Sequence, residues 1–186
     1  MNLHFRHLSF ALLFSLSILS ACQLDIPIKE MSEAKASITA ATEYKADKYA
    51  KDEIEAARNA LLSSHDLLRD DKEKEAKTSA VLAKQKADEA LAKTLPLLSK
   101  DTLDEAKAAL AELQGLSAPE FAKEKYAVAE SLVKDSSSKH DAAAYIPSYE
   151  TSLKAKAAAD ETKYALLSRT PALKGHLAEI KDKENA

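Results

Sequence analysis

The residue with the most chemistry open to it in this 186-residue chain is Cys22, the only cysteine. A lone thiol has no disulfide partner within its own chain, which leaves its nucleophilicity as its use. The other reactive side chains are scattered. Beyond Ala21 the histidines are His65, His140 and His176, and none stands at the i, i+4 spacing that a helical zinc pair requires. Asp70, Asp71, Glu73 and Glu75 gather carboxylates, but without the glycine-punctuated loop that wraps oxygen ligands around calcium; they read as a solvated turn. The chain has two glycines, too few for a Gly-x-Ser-x-Gly nucleophile elbow or a phosphate-cradling loop. Tyr145, Tyr149 and Tyr164, with Tyr126, are candidates for an aromatic cluster on two neighbouring helices, a stripe that more often serves as core than as a binding surface. The expected catalytic, metal and cofactor sets are therefore empty, and no small-molecule substrate is implied.

The setting of Cys22 gives its thiol a task. Arg6 makes a short basic start, and residues 8–20 are apolar apart from serines and uncharged. About 13 residues is too short to span a bilayer core and fits the apolar stretch of an export signal. The segment closes with Leu19-Ser20-Ala21-Cys22, which resembles the lipobox of bacterial lipoproteins. The resemblance implies cleavage before Cys22 and transfer of a diacylglyceryl group to its thiol, followed by palmitate-type acylation of the new terminus. Each buried CH₂ adds roughly 0.8 kcal/mol, so two or three chains anchor where one does not. The competing reading is an ordinary secretory peptide followed by a stray free thiol, a liability in an oxidising compartment. Gln23 follows the cysteine where an aspartate would signal inner-membrane retention by analogy with enterobacterial sorting; the outer membrane is expected.

Composition then bounds what stands behind the anchor. Arg6 is the only charged residue up to Ala21, so removing that segment takes the formal net charge from −3 to about −4. A mildly acidic body offers no basic stripe for nucleic acid and no polybasic hold on anionic lipid. Ala, Lys, Glu and Leu dominate, with two glycines, five prolines and no tryptophan. These are strong helix formers with few interruptions, and no segment alternates like a strand. The expectation is an all-α chain, an elongated antiparallel bundle packed along alanine stripes.

Periodicity places the helices. Residues 23–29, with Pro27, read as a tether. Met31, Ala34, Ile38 and Ala41 share one face of a helix over residues 30–44. A second helix over 46–69 carries Tyr49, Ile54 or Ala57, Leu61, Ser64 or His65, and Leu68. Asp71 is placed to cap a third, whose inner face is Ala76, Ala80, Ala83, Ala87, Ala90 and Leu91, with Pro96 kinking or ending it. Ser99 or Asp101 then caps a fourth helix stopped by Gly115, and Pro119 opens a fifth reaching residue 134. Residues 136–141 read as a loop, a sixth helix reaches residue 168 with a bend at Pro147, and Pro171 separates a short seventh with a charged end.

A single shift, carrying Met31 onto Leu103, superposes the two halves without a gap. It lays Glu33-Ala34-Lys35-Ala36 on Glu105-Ala106-Lys107-Ala108, Tyr49-Ala50-Lys51 on Phe121-Ala122-Lys123, and Ala87-Asp88-Glu89 on Ala159-Asp160-Glu161. Coincidence in a biased composition competes with duplication; identical runs at one offset favour duplication. The expected organisation is a signal peptide (1–21), a tether (22–29), two three-helix repeats (30–100 and 101–172) and a C-terminal helix with a charged tail (173–186). The stretches from Ala46 to Arg58 and from Ser117 to Glu130 also resemble the Tyr-Ala-Pro-x-Glu pattern, with alanine every three or four residues, of an uncharacterised helical domain family. That family occurs in Gram-negative and spirochaete envelope lipoproteins, often ahead of an OmpA-like peptidoglycan-binding domain. Asp52 stands where the pattern has proline, and no OmpA-like sequence follows here. The resemblance brings no catalytic residues.

Taken together, the residues lead to the expectation of a lipid-anchored envelope lipoprotein, periplasmic or on the cell surface. It would act as a non-enzymatic structural or protein-interaction module, through another envelope protein or self-association. A surface-exposed, adhesin-like ligand binder is the alternative.

Overall fold

The computed structural model describes the backbone of residues 26–184 and the side chains of residues 26–168. The export segment and Cys22 lie outside the described residues. Seven helices and no strand make up the described chain: α1 Ile28–Glu43, α2 Ala46–Tyr49, α3 Lys51–Arg69, α4 Glu73–Gly115, α5 Ala118–Phe121, α6 Lys123–Asp141 and α7 Tyr145–Glu184. The fold is an elongated all-α bundle.

Its axis is α4, whose 43 residues extend about 64 Å at 1.5 Å per residue. The first half of α4 carries α1 and α3, and the second half carries α6 and α7. Ala34, Ala60 and Ala83 meet in one cluster; Ala41, Ala46, Ala50, Ile54 and Ala90 meet in the next. α1 thus runs parallel to α4 and α3 antiparallel. Beyond the midpoint Leu103 and Ala106 meet Val133 and Ala155, and then Leu113 meets Tyr126 and Ala159. Here α7 runs parallel to α4 and α6 antiparallel. Among the described residues no helix from α1 to α3 packs along any helix from α5 to α7. The two halves meet through α4.

The seams are alanine. Ala76, Ala80, Ala83, Ala87 and Ala90 are fully buried along one stripe of α4, as the spacing predicts. Small side chains let helix axes approach to the short end of the usual ~8–10 Å range, where dispersion contacts are many although each residue buries little area. Carbonyls answer two seam hydroxyls here: buried Ser64 Oγ donates to the Ala76 carbonyl at 2.7 Å, and part-buried Ser79 Oγ to that of Ala60 at 2.8 Å. In the second half Ser136 Oγ donates to the Ser148 carbonyl at 2.9 Å, and Ser148 Oγ returns a bond to the Ser136 carbonyl at 2.9 Å.

Several boundaries differ from those the sequence predicts. Pro96 does not end its helix; α4 continues through it. The break expected near residue 100 is absent because Thr94, Leu98, Ser99, Thr102 and Leu103 are buried on either side, and that packing outweighs the roughly 3 kcal/mol a mid-helix proline costs. Ser99 and Asp101 are therefore interior residues of α4, not caps. Asp71 does not cap α4 either: it takes a left-handed φ of 59°, and Lys72 precedes the helix without a side-chain cap bond. Residues 136–141 belong to α6, held in helix by the burial of Ser136. Pro147 sits in the first turn of α7, where a missing N–H has no partner to lose, and Pro171 lies within the same helix. The expected single helix over 46–69 divides at Ala50, whose φ of −144° separates α2 from α3.

Candidate functional site

Four chain segments converge on the middle of α4: the end of α1, the start of α3 with α2 before it, the end of α6 and the start of α7. Around this waist stand Tyr44, Lys48, Tyr49, Ser99, Asp101, His140, Tyr145 and Tyr149. No regular spacing in the sequence joins them, because the topology brings together residues from distant parts of the chain.

On one side, the Tyr49 hydroxyl donates to Asp101 Oδ2 at 2.8 Å and accepts from Lys48 Nζ at 2.8 Å. Lys48 also lies over the Tyr49 ring, 4.4 Å from its centroid, and pairs with Asp101 at 3.4 Å. The Tyr49 hydroxyl, with Lys48 beside it, holds the Asp101 carboxyl below the usual aspartate range. The bond to Tyr49 raises the Lys48 ammonium above its ordinary value. Burial raises the Tyr49 phenol. This charge-assisted chain fastens α2 to the part of α4 beyond Pro96. Nearby, Tyr44 meets Tyr149 edge to face with centroids 6.2 Å apart, so the end of α1 touches the first turns of α7.

On the other side, Ser99 Oγ lies 2.8 Å from His140 Nδ1, and the Tyr145 ring stands edge-on to the imidazole at 5.5 Å. A serine and an imidazole at this distance have the composition of a nucleophile and its base. Ser99, however, is fully buried in the α4–α6 seam, so its hydroxyl ties two helices together and meets no solvent. The arrangement at the waist positions helices.

The other sequence-derived candidates disperse. Tyr145 and Tyr149 are at the waist. Tyr126 is buried further along the second half, its hydroxyl accepting from Gln114 Nε2 at 2.7 Å, and Tyr164 is 76% exposed. The four candidate tyrosines thus do not gather into one cluster, since α7 carries Tyr164 several turns away from Tyr145. His65 is exposed, and the His176 side chain lies outside the described residues. Asp70 pairs with Lys72 at 3.5 Å in an exposed turn, and among the described residues no group of His, Cys, Asp and Glu converges to hold a metal ion. No described helix is long and apolar enough to cross a membrane.

At the far end of α4, Phe121 is 64% exposed beside a cleft of about 230 Å³ lined also by Ala122, Glu124, Lys125, Ala165 and Leu166. No alternation or motif marks this spot; it arises because α5 is one turn long and leaves Phe121 on its outer side. No protein-family model, curated protein or solved structure matches the chain.

Proposed function

We propose that the protein is a lipid-anchored lipoprotein of the cell envelope, held by acylated Cys22 in the outer membrane, and that its helical body is a non-enzymatic structural or protein-interaction module. The observation that carries this reading is the closing run Leu19-Ser20-Ala21-Cys22 after an apolar, uncharged segment. The geometry of the body is compatible with a positional role. Glu30 pairs with Lys77 at 3.0 Å, so the start of α1 lies at the same end of the rod as the start of α4. The tether therefore joins one end, and the far end of α4 lies about 64 Å away. Exposed Phe121 and Tyr164 lie toward that distal end, where a docking partner would reach them.

A duplicated three-helix unit underlies the rod in this reading. Support comes from backbone features that recur at the offset carrying Met31 onto Leu103. α2, α3 and the start of α4 have counterparts of the same length or start in α5, α6 and α7. Left-handed Lys45 and Asp71 correspond to left-handed Ser117 and Ala143, and the break at Ala50 to the one at Ala122, both at φ −144°. On this view α4 is the third helix of one unit fused to the first helix of the next, which is why the unit boundary falls inside it.

The test is metabolic labelling with a radioactive fatty acid in a bacterium that expresses the full chain. Wild type is expected to take up label and sediment with membranes, and Cys22→Ser to do neither. Unlabelled wild type that retains residues 1–21 overturns the anchor. Proteolysis of intact cells distinguishes the periplasmic module from the surface-exposed binder, because only the latter is cut before the outer membrane is broken.

A further inference from the structure

We infer that the waist is a hinge: α4 flexes at Pro96, and the Lys48–Tyr49–Asp101 chain with the Tyr44–Tyr149 contact latches the straight form. Three observations carry it. First, no helix of the α1–α3 set packs along any of the α5–α7 set among the described residues, so one helix bears the geometry between the halves. Second, the last ion pair from α3 reaches α4 at Lys93, through Glu53 at 2.8 Å, and the first tie from α6 reaches it at Ser99. Pro96 falls in the short stretch between them. It has no N–H to offer the carbonyl of Ala92, and helices kink at such a residue. In the same stretch the Thr94 hydroxyl is fully buried without a hydrogen-bond partner, so the straight form leaves a polar group unsatisfied that bending would open to water. Third, the contacts that bridge the halves across Pro96 are polar or edge-on aromatic. The Lys48 and Asp101 side chains are 64% and 49% exposed, so parting this ion pair uncovers little apolar surface, and the half-buried rings of Tyr44, Tyr49 and Tyr149 are what a bend would wet.

The motion is a rigid-body bend of two packed halves about a few residues of backbone, as hinges generally are. For a rod fixed at one end it would swing the distal end through space without repacking either half.

Distance measurement between spin labels tests this on the full chain carrying Cys22→Ser, with labels on Asp70→Cys and Glu120→Cys, exposed positions toward opposite ends. The expected result is a broad distance distribution that narrows about twofold or more in Pro96→Ala, which restores the missing N–H. Asp101→Asn, which weakens the latch, is expected to move population toward shorter distances, and Pro96→Leu to behave as Pro96→Ala does. A single narrow distribution shared by wild type and both Pro96 variants overturns the hinge, and so does an unchanged distribution in Asp101→Asn for the latch.

Discussion

Ser64 and Ser136 occupy equivalent places in the two halves and make the same bond, each donating its buried hydroxyl across a helix seam to a carbonyl: that of Ala76 at 2.7 Å and that of Ser148 at 2.9 Å. In each case the bond ties an antiparallel helix to the first turn of the next, close to the loop that joins them. Only Ser136 extends the pattern, its Oγ lying 2.5 Å from that of Ser152 and 3.2 Å from that of Ser148. Ser64→Ala is expected to lower stability by about 1 kcal/mol, and Ser136→Ala by about 2 kcal/mol because it strands the buried Ser152 hydroxyl as well. Urea unfolding monitored by circular dichroism measures both, and equal effects would contradict the larger network.

Ala34 and Ala83 have no exposed surface and belong to one cluster with Ala60. A leucine at either position has nowhere to go unless α1 and α4 separate, and overpacking of this kind costs about 1–3 kcal/mol. The same substitution at exposed Ala36 is expected to change stability by less than about 0.5 kcal/mol. Thermal melts of the three variants give the comparison.

Acid should loosen the bundle. The Lys77 side chain bonded to Glu30, Arg58 bonded to Asp47, Lys93 bonded to Glu53 and the Tyr49 hydroxyl bonded to Asp101 each lower the carboxyl they meet. A carboxyl lowered on folding binds fewer protons in the folded chain than in the unfolded one, so stability rises with pH across its titration. The contribution is present at neutral pH and is lost as pH falls through the folded values, which lie below each group's ordinary value. Asp47 and Asp101 are half exposed, which makes their effects small in salt, while Glu30 and Glu53 are partly buried and less screened. Melting temperature is expected to be flat from pH 7 to 5 and to fall below that range, with a shallower fall in Asp101→Asn.

Pro96→Ala is expected to stabilise the fold. It supplies the N–H that the Ala92 carbonyl lacks and removes the ring from its path, changes worth up to about 3 kcal/mol in a helix interior. A higher urea midpoint with an unchanged slope would show it. A lower midpoint would mean that the half-buried proline ring packs better at the waist than alanine does.

Much of the fold is legible because alanine spacing is a direct record of which face is inside. Met31, Ala34, Ala41, Ile54, Ala57 and the stripe from Ala76 to Ala90 on α4 are all buried where a 3.6-residue period places them. What misleads is punctuation. Pro96 and Pro171 lie within helices, since neighbouring packing overrides a local preference. Conversely, the chain turns at Lys45, Asp71, Ser117 and Ala143 with positive φ and no glycine, so the usual sign of a left-handed turn is absent from all four places. The waist is illegible for another reason: Tyr44 and Tyr149, or Ser99 and His140, become neighbours through the courses of α1, α6 and α7 along α4, and a residue pattern within one helix carries no trace of that.

The dependence of both halves on one shared helix has a mechanical consequence. A pull on the two ends of the rod is borne near Pro96 by α4 and the few polar and ring contacts beside it, while within either half it is spread over three helices lying side by side. Under tension the middle should therefore yield first and at low force, lengthening the molecule in a reversible step while the two alanine-sealed parts remain intact. A tethered protein built in this way would act as a compliant link between the bilayer and whatever holds its other end.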